Sequence, residues 1–166
     1  MNEFREVQKF SQWWIWLILI AIGFIPIYGI YKQLILGEIF GDKPMSDLGL
    51  ILFAFSTFAI IALFYIIQLK TEINKFEIQF SFYPFIKKKI KWVDVKSANI
   101  VTYGLVGYGI RFGTKYGTVY NIKGNKGLAI ELKSGKKFLI GTQKHLELSE
   151  ISKFILKKLN EKSIEY

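Results

Sequence analysis

Two long runs of uncharged, mainly apolar residues limit what this chain can fold into. The first extends from Phe10 to Tyr31 and the second from Leu48 to Leu69, and neither contains Asp, Glu, Lys or Arg. Each run has about 20 residues, which at ~1.5 Å per residue of α-helix matches the ~30 Å hydrocarbon core of a bilayer. The sequence therefore predicts two transmembrane helices, at about residues 11–32 and 48–69.

The ends of the first run carry residues typical of a membrane interface. Trp13, Trp14 and Trp16 lie near its start, and Tyr28 and Tyr31 lie at its end, where amphipathic rings favour the headgroup level. The run is longer than the apolar part of a cleaved signal peptide, and no small-x-small cleavage pattern follows it. We expect a retained membrane anchor.

Basic residues flank the two runs unequally. Arg5 and Lys9 precede the first run, whereas the loop between the runs is mainly acidic. Five lysines follow the second run: Lys70, Lys75, Lys87, Lys88 and Lys89. By the positive-inside rule, both termini are expected on the cytoplasmic side, and the absence of cysteine is compatible with a reducing compartment for the main domain.

The residues from 70 onward have the composition of a basic, water-exposed domain. They contain 19 of the 23 basic residues and 8 of the 13 acidic ones. Apolar residues alternate in the segment that contains Phe76, Ile78, Phe80 and Phe82, and alternation of this kind predicts a strand. Further strands are predicted in the segments KIKWVDV, SANIVTY, YGIRF, TVYNI, GLAIELK and KKFLIGT.

The periodicity changes after His145. Leu148, Ile151, Phe154 and Ile155 recur at steps of three and four, which predicts one amphipathic helix. The resulting fold class is a transmembrane hairpin with an N-terminal tail, residues 1–69, followed by an α+β domain, residues 70–166. That domain is expected to be an antiparallel β-barrel or sandwich of about seven strands, capped by the C-terminal helix.

Three segments taken in order carry a resemblance to a known family. They are WVDV at Trp92–Val95, GYGIRFG at Gly107–Gly113, and YNIKGNKGLAIELKSGKKFLIGTQ at Tyr120–Gln143. Together with the closing helix, they resemble the bacterial pleckstrin-homology-like (PH-like) family over about residues 71–160. The resemblance implies a PH-like fold at the bacterial cytoplasmic (inner) membrane and a role in binding or assembly.

The segment NIKGNKG, residues 121–127, could be either a phosphate-binding loop or a turn. A Walker-type loop requires G-x-x-x-x-G-K-[ST] between a strand and a helix. Gly124 and Gly127 are only three residues apart, and a predicted strand follows them. We interpret the segment as a turn. The glycines predicted to serve turns or bends are Gly107, Gly109, Gly124, Gly127 and Gly135.

The sequence contains no recognisable catalytic constellation. It has no cysteine and one histidine, His145, and the predicted strands contain no paired carboxylates. These residues cannot form a clustered metal site or a Ser-His-Asp arrangement within one chain. We expect a protein that is not an enzyme and that needs no cofactor.

A lysine-rich segment, Ile86–Lys91, follows Phe85 in what is expected to be the first hairpin connection. In lipid-binding members of the pleckstrin-homology class, basic residues around this hairpin contact phosphates. The resemblance implies only this location, and our hypothesis is that Lys87, Lys88, Lys89 and Lys91 contact anionic headgroups while Phe85 dips into the interface. Lysine is less suited than arginine to bidentate phosphate recognition, which favours a diffuse electrostatic contact.

The sequence leaves two functions open for such a domain. The first is protein interaction or scaffolding through a barrel edge or the groove beside the C-terminal helix, and the alternative is sensing of anionic lipid headgroups. Nucleic acid is not expected as a partner, because the basic residues are scattered, no nucleic-acid motif appears and the domain is tethered. The sequence predicts no particular oligomeric state, since neither apolar run shows a clear small-xxx-small pattern.

Overall fold

The computed structural model describes residues 3–104 and 107–162, with side-chain surroundings up to residue 157. Its α-helices are α1 (Trp13–Ile30), α2 (Asp47–Ile66) and α3 (His145–Lys162), and a π-helical turn, Tyr31–Ile35, extends α1. The chain divides into two compact units. One contains Phe10–Ile67, and the other combines the residues up to Lys9 with those from Gln68 onward.

The helical unit consists of α1 and α2 with their connection. Within the described residues, Trp13–Ile35 and Asp47–Ile66 are the two helical segments long and apolar enough to cross a membrane. Large apolar side chains on both helices are exposed, among them Phe24 at 63% and Phe55 at 73%. The helix expected at about 48–69 ends earlier, at Ile66, because a strand begins at Gln68.

The strands of the other unit form two sheets. Sheet A contains β1 (Phe4–Lys9), β2 (Gln68–Ile73), β3 (Glu77–Tyr83) and β4 (Ile86–Lys91) in the spatial order β1-β2-β3-β4, with antiparallel pairing throughout. A short 3₁₀ turn, Trp92–Asp94, leads to sheet B. The strands of sheet B are β5 (Val95–Thr102), β6 (Gly109–Thr114), β7 (Gly117–Asn121), β8 (Lys126–Leu132) and β9 (Lys137–Gly141).

Sheet B has the spatial order β5-β8-β9-β7-β6. Its β7 and β9 pair in parallel, so the expectation of an entirely antiparallel domain is corrected at this pair. The described residues form nine strands, compared with about seven expected from the sequence. The additional strands are β1 and β2, which lie where an N-terminal tail and the end of a helix were expected.

The two missed strands share one property. Their inward-facing positions include polar residues, namely Glu6 and Gln8 in β1 and Thr71 in β2, all at most 6% exposed. Polar inward positions conceal the alternation that usually reveals a half-buried strand. A single domain boundary was expected at residue 69. The observed unit instead includes the N-terminal strand β1 together with the residues from Gln68 onward.

The core of this unit lies between the two sheets. The ring of Phe80 in β3 is 4.9 Å from that of Tyr120 in β7 and 6.5 Å from that of Phe138 in β9. Trp92 is buried, and its indole Nε1–H donates to the Asn74 carbonyl at 2.8 Å. The buried residues of α3 are Leu148, Ile151, Ser152 and Ile155, and this helix packs on β5, β8 and β1.

Strand β1 is connected by hydrogen bonds to the segment that follows β9. The Thr142 hydroxyl donates to Glu6 Oε2 at 2.6 Å, and the Gln143 backbone N–H donates to Glu6 Oε1 at 2.8 Å. The side-chain amide of Gln8 donates to the Gly141 carbonyl at 2.7 Å. These contacts join the first strand of the chain to the start of α3.

Candidate functional site

The lysine-rich segment Ile86–Lys91 is strand β4, and the connection before it is a tight turn at Pro84 and Phe85. The structure therefore corrects the expectation that these lysines lie in a hairpin connection. Side chains alternate between the two faces of a strand. Lys87, Lys89 and Lys91 are exposed on the outer face of sheet A, whereas Lys88 lies on the inner face with the buried Ile90.

Lys88 differs from the other three lysines because its side chain contacts aromatic rings of sheet B. Its ammonium Nζ lies 4.3 Å from the centroid of the Phe138 ring and 5.8 Å from that of Tyr120. Both distances are within the range of cation–π attraction. Lys88 therefore contributes to contact between the sheets, and the four predicted lysines do not share one surface.

The outer face of sheet A carries basic residues from β1, β2 and β4, and we call it the basic face. Arg5, Glu72 and Lys89 lie in one row across the sheet, since Glu72 is paired with Arg5 and with Gln79, which is paired with Lys89. The charged members of the basic face are Arg5, Lys9, Lys70, Glu72, Glu77, Lys87, Lys89 and Lys91. Among the described residues, this face thus carries six basic and two acidic side chains.

The two carboxylates of the basic face form ion pairs with neighbouring basic side chains. Glu72 lies 3.0 Å from the Lys70 ammonium and 3.9 Å from the Arg5 guanidinium. The hydrogen bond from Lys70, with the positive charges of Lys70, Arg5 and Lys87, lowers the pKa of Glu72 against the smaller opposing effect of burial. Glu77 pairs with Lys89 at 3.5 Å.

Two lysines of the basic face are left for an external anion. Lys87 and Lys91 make no ion pair with any residue that the structure describes. The existing pairs are exposed, and pairs of this kind contribute only about 0–1 kcal/mol, so an anionic partner can compete for their cations as well. The face is suited to a broad polyanionic surface rather than to one enclosed phosphate.

Two exposed aromatic residues lie at one end of the basic face. Tyr83 is 51% exposed and Phe85 is 55% exposed, and Tyr83 is paired with Gln68, which is paired with Lys9. This is the end of sheet A from which the chain continues into the helical unit. Residues 10–12 separate β1 from α1, and Ile67 alone separates α2 from β2.

The segment NIKGNKG connects β7 to β8, and side chains engage its backbone carbonyls. The Tyr103 hydroxyl donates to the Gly124 carbonyl at 3.3 Å, and the Gln143 amide donates to the Lys123 carbonyl. Gly124 has a φ of +80°, a conformation that glycine adopts without steric cost. This arrangement differs from a phosphate-binding loop, in which backbone amides converge on the anion at the start of a helix.

The remaining predicted turn glycines fall into two groups. Gly107, Gly109 and Gly135 have φ values of +71°, +102° and +81°. Gly127 has no positive φ; instead, a Cβ there would lie 2.7 Å from the Ile140 carbonyl oxygen. Its small size permits the close approach of β8 and β9.

The described residues contain no group of three or more His, Cys, Asp or Glu side chains that could hold a metal ion. His145 lies at the start of α3, where its Nε2 is 3.0 Å from the Lys126 ammonium. Arg5, Lys9 and Lys70 also belong to the candidate site but were not predicted from the sequence. The sequence pattern that could have identified Arg5 and Lys9 is the alternation of side chains along a strand. Both residues occupy outer positions of FREVQK, the segment that was predicted to be a tail.

No protein-family model matches the chain, and no curated protein is significantly similar to it. The PH-like assignment therefore stays a prediction from the sequence motifs.

Proposed function

We propose that this protein is an integral membrane protein of the bacterial cytoplasmic membrane whose PH-like domain binds anionic lipid headgroups and carries out no catalysis. The observation that supports this most directly is the basic face, because it joins six cations from three strands, β1, β2 and β4, on one surface. It replaces the four-lysine set expected from the sequence with a larger set that excludes Lys88.

Membrane insertion is supported by the exposure of the apolar helices. In the 18-residue apolar windows of Trp13–Ile35 and Asp47–Ile66, 22% and 17% of the residues are buried. A helix in the core of a water-soluble protein would bury its apolar side chains, whereas a membrane helix exposes them to lipid. With both helices inserted, the positive-inside rule assigns the basic domain and both termini to the cytoplasmic side.

The energy available to such a contact is moderate and depends on salt. A Lys or Arg held near an anionic leaflet contributes about 1 kcal/mol, and the attraction decays over a Debye length of ~8 Å at physiological ionic strength. The connections of sheet A to the two spans are residues 10–12 and Ile67, so short links join the Lys9 and Gln68 end of the sheet to the spans. Tyr83 and Phe85 can add interfacial contacts at the tethered end.

Protection of lysines from chemical labelling tests this function. The full chain would be reconstituted into nanodiscs of phosphatidylcholine, with or without phosphatidylglycerol, and labelled with an amine-reactive reagent at several salt concentrations. We expect anionic lipid to slow labelling of Lys87 and Lys91 at low salt, and this protection to disappear at high salt. Lys136, in the turn between β8 and β9, is the control position.

Two outcomes would contradict lipid binding. One is equal labelling of Lys87 and Lys91 in both lipids, and the other is equal protection of Lys136. The full chain is needed because a fragment beginning near residue 71 would lack β1 and part of β2.

Protein interaction remains a second candidate function, favoured by strand β6. This strand lies at the edge of sheet B within the described residues, and its Phe112 is 73% exposed. An exposed edge strand can accept a partner segment as an additional strand. A photocrosslinking residue at position 112 should then give a discrete adduct in native membranes, and the same residue at Lys133 should not.

A further inference from the structure

The outer face of sheet B is partly apolar, unlike the outer face of sheet A. Tyr103, Val119 and Leu139 form a cluster in which none is more than 2% exposed. Val101, Tyr116 and Ala129 are partly buried against this cluster. A sheet with a solvated outer face normally presents polar residues there, whereas here a buried apolar cluster is bordered by the partly exposed Val101, Tyr116 and Ala129.

A depression of about 240 Å³ adjoins the apolar area. Asn99 of β5 and Ala129 of β8 are cross-strand neighbours on its floor, and Ser97 and Glu131 form the next pair. Lys137 of β9 continues this second row, because it is paired with Glu131. The side opposite β5 is formed by Lys115 and Tyr116 in the turn between β6 and β7.

The turn that bounds the depression is held in place. The Thr114 hydroxyl donates to the Gly117 carbonyl at 2.9 Å and accepts from the Tyr116 backbone N–H at 3.1 Å. At Gly117 the backbone lies directly against the Lys137 carbonyl, leaving no space for a Cβ. These contacts fix the backbone at Tyr116, and its side chain packs against the Tyr103, Val119 and Leu139 cluster, which reduces the ordering cost of binding.

The charges around the depression favour an anion. Glu131 is already paired with Lys96 at 2.8 Å and with Lys137 at 3.7 Å. Lys115 places its ammonium 5.0 Å from the centroid of the Tyr116 ring and makes no ion pair with any residue that the structure describes. An added carboxylate would therefore meet Lys115 beside an aromatic ring, with the polar side chains of Ser97 and Asn99 on the opposite side.

We propose that this depression binds a small organic carboxylate with a flat apolar body. The apolar body would lie on Ala129 and Val101 beside the Tyr116 ring, and the carboxylate would face Lys115. The volume is slightly below the ~300 Å³ at which drug-sized pockets begin, so the ligand has on the order of ten non-hydrogen atoms. The site is independent of the proposed headgroup contact, since it uses sheet B and none of the basic-face lysines.

Fluorine NMR of the full chain in detergent micelles tests the site, with 4-fluorobenzoate as the probe and 4-fluorobenzamide as its neutral counterpart. We expect concentration-dependent broadening and a shift for the benzoate that are several-fold larger than for the benzamide. Lys115→Gln should weaken benzoate binding about fivefold, the effect of losing one solvent-exposed ion pair of roughly 1 kcal/mol. Lys136→Gln is the matched control, since it removes the same charge outside the depression.

A second variant tests the position of the site. Ser97→Tyr should occupy the depression from β5 and abolish the benzoate response, with thermal unfolding of the variant measured alongside. If Ser97→Tyr does not fold, Lys115→Gln still tests whether benzoate binds in the depression, because this substitution changes only an exposed side chain. The proposal is overturned if the benzoate does not bind, if benzoate and benzamide bind equally, or if Lys136→Gln weakens binding as much as Lys115→Gln.

Discussion

The Glu6 carboxylate accepts a 2.6 Å hydrogen bond from the Thr142 hydroxyl, across 136 residues of sequence. Its other oxygen accepts from the Gln143 backbone N–H, and the Glu6 residue is only 6% exposed. A single buried carboxylate thus satisfies two donors where β9 leads into α3, and buried donors are costly when left without partners.

Replacement of Glu6 should therefore destabilise the domain. Glu6→Ala leaves both donors without their acceptor, and we expect a loss of about 2–3 kcal/mol in the free energy of unfolding. Glu6→Gln should lose less, because the amide oxygen can still accept one bond. The measurement is chemical unfolding of the full chain in detergent, with Glu3→Ala, a change at an exposed position, as the control. Equal stability of Glu6→Ala and Glu3→Ala would show that the contact is unimportant.

Lys88 provides a test of the two faces of β4. Lys88→Met keeps a long apolar side chain beside Phe138 and Tyr120, so the change in unfolding free energy should be below about 1 kcal/mol. Lys88→Glu sets a carboxylate against the ring faces and should cost about 2 kcal/mol. Neither variant should alter the protection of Lys87 by anionic lipid. Loss of that protection in Lys88→Met would place Lys88 in the headgroup contact after all.

Gly117 and Gly113 form a matched pair for testing the close approach of β7 to β9. Both have positive φ, +74° and +70°, but a Cβ at Gly113 would meet nothing within 4 Å. Gly113→Ala should cost about 1–2 kcal/mol from backbone strain alone. Gly117→Ala adds a clash with the Lys137 backbone and should cost more than about 3 kcal/mol. Thermal unfolding of both variants measures the difference, and similar melting temperatures would rule out the close approach.

The lowered pKa of Glu72 gives a pH-dependent prediction. Because the folded-state pKa is below the ordinary 4.5, the small stabilisation that Glu72 provides is present above about pH 4.5 and is lost as pH falls through the folded-state value. Lys70→Gln should raise this pKa toward 4.5, since the Lys70 hydrogen bond is its largest cause. Carbon-13 NMR titration of the Glu72 carboxyl measures the change, with Lys75→Gln as the control. An unchanged titration in Lys70→Gln would refute the pairing.

Local patterns were sufficient for several elements of the fold. The apolar runs predicted α1 and α2 because a membrane-length helix requires a continuous uncharged stretch. Such a stretch can be recognised in the sequence without knowledge of any distant contact. The three- and four-residue steps from Leu148 to Ile155 predicted α3. The strand containing Phe80 and Phe82 was visible for the same reason, since its inward positions are apolar throughout.

Other features depended on contacts between distant residues. FREVQK carries Glu6 and Gln8 inward, so it becomes recognisable as a strand only when β2 and the segment after β9 provide its partners. The parallel pairing of β7 with β9 also has no local signature, because β8 intervenes in sequence.

The candidate site shows the same division. The sequence by itself determined that lysines are concentrated in Ile86–Lys91 and that the chain has two long apolar helices. Only the tertiary structure decided that Lys88 faces Phe138 while Arg5 and Lys70 join Lys87 on the outer face of sheet A. The physical reason is that a strand alternates its side chains with a period of two, so the face of each residue depends on strand bounds and register, which long-range pairing sets.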